Sequence, residues 1–548
     1  MTADHEFIAC GSVAGLLAQQ AETFADQDLF VLPASVRAMW DAPQSAWSYG
    51  EVHARVSALA EAYRGAGYGP DHRVALLLEN RPAHFEHWLA LNTIGVTVVP
   101  VNPQASADEL TYLLSHSESV LLVRLPGHAA LADPVAAALN VAVAGPDDAP
   151  QAIGAEQPLA PADPERPCAL IYTSGTTGRP KGCVLSNRYF LNWSHWYRSQ
   201  RGHIALRDGV ERLMTPLPTF HVNAMGHSFM GMLSCGGAQI IVDRFHPRQW
   251  WAEAIETKAT CFHYLGVMPA ILLELPETPE ERSHGMRFGL GGGVHPDHHA
   301  RFEERYGVCL LEGWAMTETG GAGTMCAASE PRHVGQRCIG RPDRPGPEIE
   351  MKVVDDAGNE LPRGTPGELI VRARGDDPRK GFFTEYLKNP EATAEAWADG
   401  WLHTGDVMRM DEDGALFFVE RKKNIIRRSG ENIAAAEVEA VISQVPGVSA
   451  VAVVASPDPL REEEVLAVIV PADPDGDGAA LADAIFARCE EKLTYFKVPG
   501  LVVPVASLPT TSTQKVQKAG LRDIANAPLD APGCVDLRER KNALRKAK

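Results

Sequence analysis

The stretch Cys168-Ala-Leu-Ile-Tyr172 runs directly into Thr173-Ser-Gly-Thr-Thr-Gly-Arg-Pro-Lys-Gly182, and this junction decides the reading of the chain. A short uncharged apolar run ahead of a Gly-rich loop reads as a buried strand. The loop has glycine at 175, 178 and 182, hydroxyls at Thr173, Ser174, Thr176 and Thr177, and a cation at Lys181. Small residues let backbone N–H groups close on oxyanions, hydroxyls add donors and the lysine adds charge, so the string suits a polyphosphate. It is not a Walker loop, because no Gly-x-x-x-x-Gly-Lys-Ser/Thr occurs in it. A flexible surface loop competes as a reading for Ser174-Gly175 alone, but not for the ten residues in this order.

Outward from that loop, the 548 residues exceed one compact core and imply two or more domains. At 45% hydrophobic and 22% charged, the chain is an ordinary globular one, which excludes wholesale disorder. Lys plus Arg is 51 and Asp plus Glu is 70, so 51 − 70 = −19, a balance that argues against nucleic acid as a partner. Ten cysteines without a Cys-x-x-Cys pair signal neither a zinc site nor a disulfide framework. No basic leader and no run of ~20 apolar residues is present, so no membrane span is expected and a reducing cytoplasm fits best.

Apolar residues recur at helical spacing from about Ser12 to Ala66. From Arg73, the runs RVALLL, TVVPV and SVLLVRL alternate with helical segments such as AHFEHWLALNTIG, which predicts α/β layers with a largely parallel sheet. Pro146 to Pro167 reads as an irregular connection, and after Glu348 short alternating strands (IEMKVVDD, GELIVRAR) predict an antiparallel portion. The expected architecture is a large N-terminal α/β domain, 1–422, and a small mobile α+β domain, 423–548. The second should comprise helix AAAEVEAVISQV, strands VSAVAVVAS and EVLAVIVPA, and a helix near Leu481 to Leu493.

The order of residues 173–182 resembles the signature loop of the adenylate-forming superfamily, which includes acyl-CoA synthetases, luciferases and peptide-synthetase adenylation domains. Further motifs follow in that family's order over about Phe30 to Arg522. Gly313-Trp-Ala-Met-Thr-Glu-Thr319 is similar to its aromatic-Gly-x-Thr-Glu motif. There Gly313, Trp314, Ala315 and Met316 would frame the adenine, Thr317 would offer a hydroxyl to the α-phosphate, and Glu318 a hard oxygen to Mg²⁺. A capped helix start is a compatible second reading of Thr and Glu at these places. Gly289-Leu-Gly-Gly-Gly-Val-His-Pro296 occupies the family's place for the opposite adenine wall, through Gly292, Gly293 and Val294. As a dinucleotide fingerprint it fails, since Val294 takes the last glycine position.

Gly400-Trp-Leu-His-Thr-Gly-Asp406 resembles the ribose motif, and an acceptor-only carboxylate at Asp406 can take two hydroxyl protons. The resemblance adds Phe418 and Arg421 to the nucleotide set and Lys423 as the hinge. Ser429, Gly430, Glu431 and Asn432 would line the pantetheine channel, with Lys422, Arg427 and Arg428 as the nearest candidates for CoA phosphates. The acyl pocket is expected from Phe220, Met225, Tyr264 and Gly289, a lining without fixed charge that favours an apolar acid. His221 either orients the carboxylate or is a buried histidine satisfied by backbone groups. Leu508-Pro-Thr-Thr-Ser-Thr-Gln-Lys-Val-Gln-Lys518 is similar to the family's C-terminal lysine segment, which makes Lys515 the catalytic lysine and Lys518 the second basic position.

The resemblance implies an acyl-CoA ligase that forms acyl-adenylate from a carboxylic acid and ATP, then transfers the acyl group to CoA and releases AMP. Three positions depart from the pattern: Gln514, Ala315 and Glu420 stand where glycine is usual. Each adds a side chain expected near nucleotide or acyl phosphate. Two alternatives therefore stay open: a thioester-forming enzyme fed with adenylate by a partner synthetase, and a non-catalytic nucleotide-binding homologue.

Overall fold

A computed structural model describes residues 5–159, 161–173, 180–342, 349–428, 431–459, 461–510 and 516–546, without the side chains of Lys423, Asn432, Arg545 and Lys546. Ser174 to Gly178, Ser429, Gly430, Gln514 and Lys515 lie outside the described residues. The chain divides into two compact units. The first holds Met1–Lys352, Ile370–Thr404 and Asp411–Phe417; the second holds Val353–Leu369, Gly405–Met410 and Phe418–Lys548.

Two sheets form the body of the first unit. In the seven-stranded sheet, Arg73–Leu77 pairs in parallel with Thr97–Pro100 and Leu121–Arg124, which are the three apolar runs read from sequence. Helix Pro82–Thr93 crosses between the first two, its proline at the position where a missing N–H costs nothing. Pro167–Thr173 joins the parallel set, and Lys181–Ser186 returns antiparallel beside it, with Thr173 opposite Lys181. The phosphate-loop candidate thus connects two adjacent strand ends. In the eight-stranded sheet, Asp28–Val31, Ala238–Ile241, Arg212–Thr215, Cys261–Leu265, Phe288–Gly292 and Cys309–Trp314 run parallel in that order. Antiparallel strands Ala46–Ser48 and Met325–Cys326 close its edges. The continuous helical spacing read from Ser12 to Ala66 is interrupted, since Asp28–Val31 and Ala46–Ser48 are strands between the helices. Runs of four and three residues are too short to show a period of two.

Helix Asn187–Ser199 starts on the Ser186 cap and buries Tyr189, Phe190, Trp193, Trp196 and Tyr197. It is covered on several sides, burying the polar Asn187, Arg188, Asn192 and Ser194 as well as the aromatic residues.

The second unit is built on a sheet in the order Glu431–Ala434, Ile425–Arg428, Glu462–Pro471, Leu501–Pro504, Val535–Asp536, with Val448–Asp458 also paired to Glu462–Pro471. Helix Gly478–Lys492 is capped by Asp477, which accepts from the amides of Ala479 and Ala480. It buries Ala482, Ile485, Phe486 and Cys489, the one-sided spacing of an amphipathic helix, against Ile426, Ile433, Val438 and Ile442. The two strands expected after Glu348 are neighbours in a five-stranded sheet, Ile349–Val354 beside Gly367–Ala373, and Val354 makes an antiparallel bridge to Glu360.

Candidate functional site

In the first unit, the strand that leaves the phosphate loop and the turn after Trp314 come together on a tyrosine. Glu385–Tyr386 pairs with Lys181–Ser186, setting Tyr386 opposite Cys183. The Tyr386 hydroxyl donates to Oε1 of Glu318 at 2.7 Å, and the Lys181 ammonium lies 4.1 Å from the centre of the same ring. Glu318 and Tyr386 are both buried. Burial first, then the neighbouring Glu318 carboxylate, raise the phenol's pKa, so it stays a donor at working pH. The Phe383 amide donates to the Glu318 carbonyl, and the Tyr189 hydroxyl donates to the Thr317 carbonyl at 2.9 Å, so the turn is held from two sides. Its own closure comes from Thr319, whose Oγ1 accepts from the Met316 amide at 2.9 Å.

Trp314 ends its strand opposite Met325 and is largely covered. Ala315 is exposed. The neighbouring strand Phe288–Gly292 ends in Gly293 at φ +80°, a conformation that favours glycine, while the buried Val294 gives its amide to Glu312 at 3.2 Å. Beside Lys181 a surface cavity of about 330 Å³ is lined by Tyr112, His116, Pro180, Leu387, Lys388 and Asn389. Two ammonium groups therefore stand where the loop's second strand begins.

The acyl candidates separate. Asn80 fixes the turn before His221, donating to the Leu217 and Val242 carbonyls and accepting from the Thr219 amide. On that turn Phe220 and His221 are half-buried with ring centres 4.4 Å apart, and Met225 follows fully buried in a π-helical turn, Asn223–Ser228. Tyr264 is a core residue, its hydroxyl given to the Leu311 carbonyl and its pKa raised by burial. At Gly289 the space a side chain would need is filled by the Phe262 ring, 2.4 Å from an added Cβ. That glycine admits an aromatic ring rather than an acyl chain.

In the second unit, Asp406 is fully buried and its Oδ1 lies 2.6 Å from Nε of Arg421. The Gly405 amide donates to Glu368, whose other oxygen accepts from Lys422. Phe418 is half-buried on the strand that ends at Arg421. Packing thus assigns Asp406 and Arg421 to the second unit, whereas a boundary at 423 puts them in the first.

Two expectations need correction. Glu420 does not project toward a phosphate: it accepts from the Arg421 amide and Asn424, and its second oxygen takes the Ala436 amide at the start of helix Ala435–Ile442. Arg428 is buried against Glu464, so its guanidinium is not offered to CoA; Lys422 and Arg427 are both drawn to Asp356. Glu431 pairs with Arg428, and Asn432 with Arg427, in the antiparallel strands Ile425–Arg428 and Glu431–Ala434. Lys518 is bound to Glu439 at 2.8 Å, and Thr510 bridges Val516 across the segment that holds Lys515. Tyr386 was missed from sequence, because a two-residue strand carries no periodic signal.

Known proteins share this chain's sequence and fold. The family described as AMP-binding enzyme matches residues 17–377, and its C-terminal domain matches residues 437–515. Sulfoacetate–CoA ligase of Cupriavidus necator is 31% identical over 525 residues, 93% of this chain and 97% of its own length. Crotonobetaine/carnitine–CoA ligase of Salmonella paratyphi A is 31% identical over 498 residues, 87% of this chain and 93% of its own. ATP-bound MatB from Rhodopseudomonas palustris superposes with a TM-score of 0.78 at 25% identity, over 94% of this chain and 99% of that one. Among the described residues, no helix is long and apolar enough to cross a membrane.

Proposed function

We infer the roles of individual residues from one premise: this chain belongs to the AMP-binding enzyme family, the adenylate-forming superfamily, in its acyl-CoA ligase branch. It is an AMP-forming acid–thiol ligase. A carboxylate attacks the α-phosphorus of ATP and pyrophosphate leaves; the CoA thiol then attacks the acyl carbon and AMP leaves.

The first step brings two anions together, so positive charge is needed where they close. Lys181 and the loop Thr173 to Gly178 take the triphosphate, and Lys515 reaches the α-phosphate and acyl oxygens. Thr317 donates to the same phosphate. Trp314 and the Gly292 to Val294 turn hold the adenine, and Asp406, oriented by Arg421, takes the ribose hydroxyls. The observation that carries this reading is the meeting of Lys181 and Glu318 on Tyr386, because a cation and a carboxylate from motifs far apart in sequence then serve one triphosphate. Glu318 fits Mg²⁺: it is a buried hard-oxygen ligand oriented by a neutral donor. When bound, the ion would offset the charge of the phosphate oxygens.

For the second step, Lys423 serves as hinge and residues Ser429 to Asn432 line the thiol channel. Phe220, His221 and Met225 form the acyl wall. Sequence favours an apolar acid, while the relatives' names print sulfoacetate, crotonobetaine and carnitine, so the acid panel must span both kinds.

The test is a pair of assays on wild type and Lys515→Ala: ATP–pyrophosphate exchange over that panel, and acyl-CoA formation from preformed acyl-adenylate. Exchange should fall ~10²–10³-fold in the variant, with thioester formation reduced much less. A wild type silent in exchange on every acid but active on preformed adenylate would transfer adenylation to a partner synthetase.

A further inference from the structure

The second unit buries a charge cluster that the ligase chemistry does not use. Arg428, the last residue of strand Ile425–Arg428, is 2% exposed and gives Nε to Oε2 of Glu464 at 2.9 Å. Oε1 of the same carboxylate accepts from the ammonium of Lys541, which is 0% exposed on the C-terminal helix Arg538–Lys546. The Val465 amide also donates to Oε1, at 2.8 Å. The chain is bare at Gly500, where an added Cβ would stand 2.6 Å from Glu464 Cδ. The Leu537 amide binds the Gly500 carbonyl at 2.8 Å and seats the helix beside it. This is a built arrangement, with backbone and side chains shaped around one carboxylate.

Burying ionic groups costs several kcal/mol each, and apolar residues of like size often serve stability as well or better. What such a cluster supplies is a fixed register, because each charge is tolerated only where its partners are. The element it fixes is specific. Arg428 sits opposite Glu431 in the antiparallel pair, so only Ser429 and Gly430 connect the two strands. Glu431 itself is among the residues read above as the wall of the thiol channel.

We propose that Arg428, Glu464 and Lys541 are positioning residues for thioester formation, through which the C-terminal helix holds the paired strand ends Arg428 and Glu431 in place. The proposal rests on the reading that residues 429–432 serve the second half-reaction. Charged and titratable groups facing Lys541 are Glu464, Arg428, Arg461 and the thiol of Cys489; Arg538, on the same helix, faces Glu464. Burial first, with Arg428 and Arg461 adding to it against the pull of Glu464, brings the Lys541 ammonium down to about 7. The cluster therefore changes charge near neutrality, with Lys541 charged on the acid side.

The test compares full-length wild type, Lys541→Met, Lys541→Arg and Glu464→Gln in both half-reactions, with thermal midpoints recorded for each. Lys541→Met should lower acyl-CoA formation from preformed acyl-adenylate about 10- to 100-fold, the scale of a small misplacement of reacting groups. ATP–pyrophosphate exchange should stay within about twofold of wild type, and Lys541→Arg should recover part of the loss. In wild type the thioester rate should show an ionisation near pH 7 that Lys541→Met lacks. Parallel loss in both half-reactions, or no loss in either, overturns the positioning role; if Lys541→Met does not fold, Glu464→Gln and Lys541→Arg carry the same comparison. A wild type that makes no thioester from preformed adenylate overturns the reading of residues 429–432 itself, and the positioning role with it.

Discussion

The hydroxyl of Tyr386 donates to the carboxylate of Glu318 across 2.7 Å, from a two-residue strand to a turn 68 positions earlier in the chain. A buried carboxylate is costly unless donors meet it, and this bond also fixes the plane of its oxygens. Tyr386→Phe keeps the ring under Lys181 and deletes the donor alone. Losing a bond to a charged group removes about 1.5–3 kcal/mol, so ATP–pyrophosphate exchange should fall roughly 10- to 100-fold. On the proposed role of Glu318 as a metal ligand, raising Mg²⁺ should recover part of the rate. Exchange unchanged at every Mg²⁺ concentration would detach Glu318 from the metal.

Asp406 and Arg421 make the corresponding claim for ribose. The carboxylate is fully buried and paired at 2.6 Å, so its direction is set before nucleotide arrives. Asp406→Asn retains the shape but replaces one acceptor with a donor. The KM for ATP should rise about 10- to 100-fold, the cost of losing charge-assisted bonds to hydroxyls. Steady-state kinetics with ATP and 2′-deoxy-ATP check it: wild type should prefer ATP, and the variant should treat the two alike. A variant that keeps the wild-type preference places the ribose elsewhere.

Glu420 stands where glycine is usual in the family, yet its carboxylate ties Arg421, Asn424 and the Ala436 amide together. An acid at the start of a helix satisfies an amide that has no intrahelical partner. Glu420→Ala should therefore destabilise the second unit by about 1–2 kcal/mol, the usual cost of a lost cap. Hydrogen exchange by mass spectrometry should show the first turn of helix Ala435–Ile442 losing protection. Adenylation should stay within about threefold. A large gain in adenylation instead would restore Glu420 as an obstacle at the nucleotide.

Much of this was legible in sequence, for identifiable reasons. The strand before Thr173 is continuous and apolar, and RVALLL and TVVPV are bounded by helical periods, so their type followed from length and pattern. Asp28–Val31 and Ala46–Ser48 were lost inside helical spacing, because short strands between helices leave no alternation to read. Glu318 and Asp406 enter the proposed site through motif order. Tyr386 was not, since its role is defined by a pairing with Lys181–Ser186 that no local string encodes. The direction of a side chain was equally hidden. Glu420 looked like an active-site intrusion and Arg428 like a CoA ligand until their partners Ala436 and Glu464 were seen. Gly289 looked like pocket lining until Phe262 was found filling the space beside it.

The first unit also buries His84, His87, His227 and His263, and burial holds all four far below the ordinary imidazole range. The values are about 3 for His84 and His263 and about 4 for His87. An unfolded histidine titrates near 6.5, so between 6.5 and these values the unfolded chain binds protons that the native chain does not. Stability is therefore complete above about pH 6.5, declines as pH falls, and the histidine contribution is gone below the native values. Each group adds a slope of about 1.4 kcal/mol per pH unit in that window. His84 isolates one of them, because its Nε2 is buried without a hydrogen-bond partner and a leucine leaves nothing unpaired. All ten tryptophans lie within the segments of the first unit, so tryptophan fluorescence follows its urea unfolding. His84→Leu should match wild type at pH 7 to within about 1 kcal/mol and exceed it by about 2 kcal/mol at pH 5. Equal slopes for the two proteins would mean that His84 takes up its proton without unfolding.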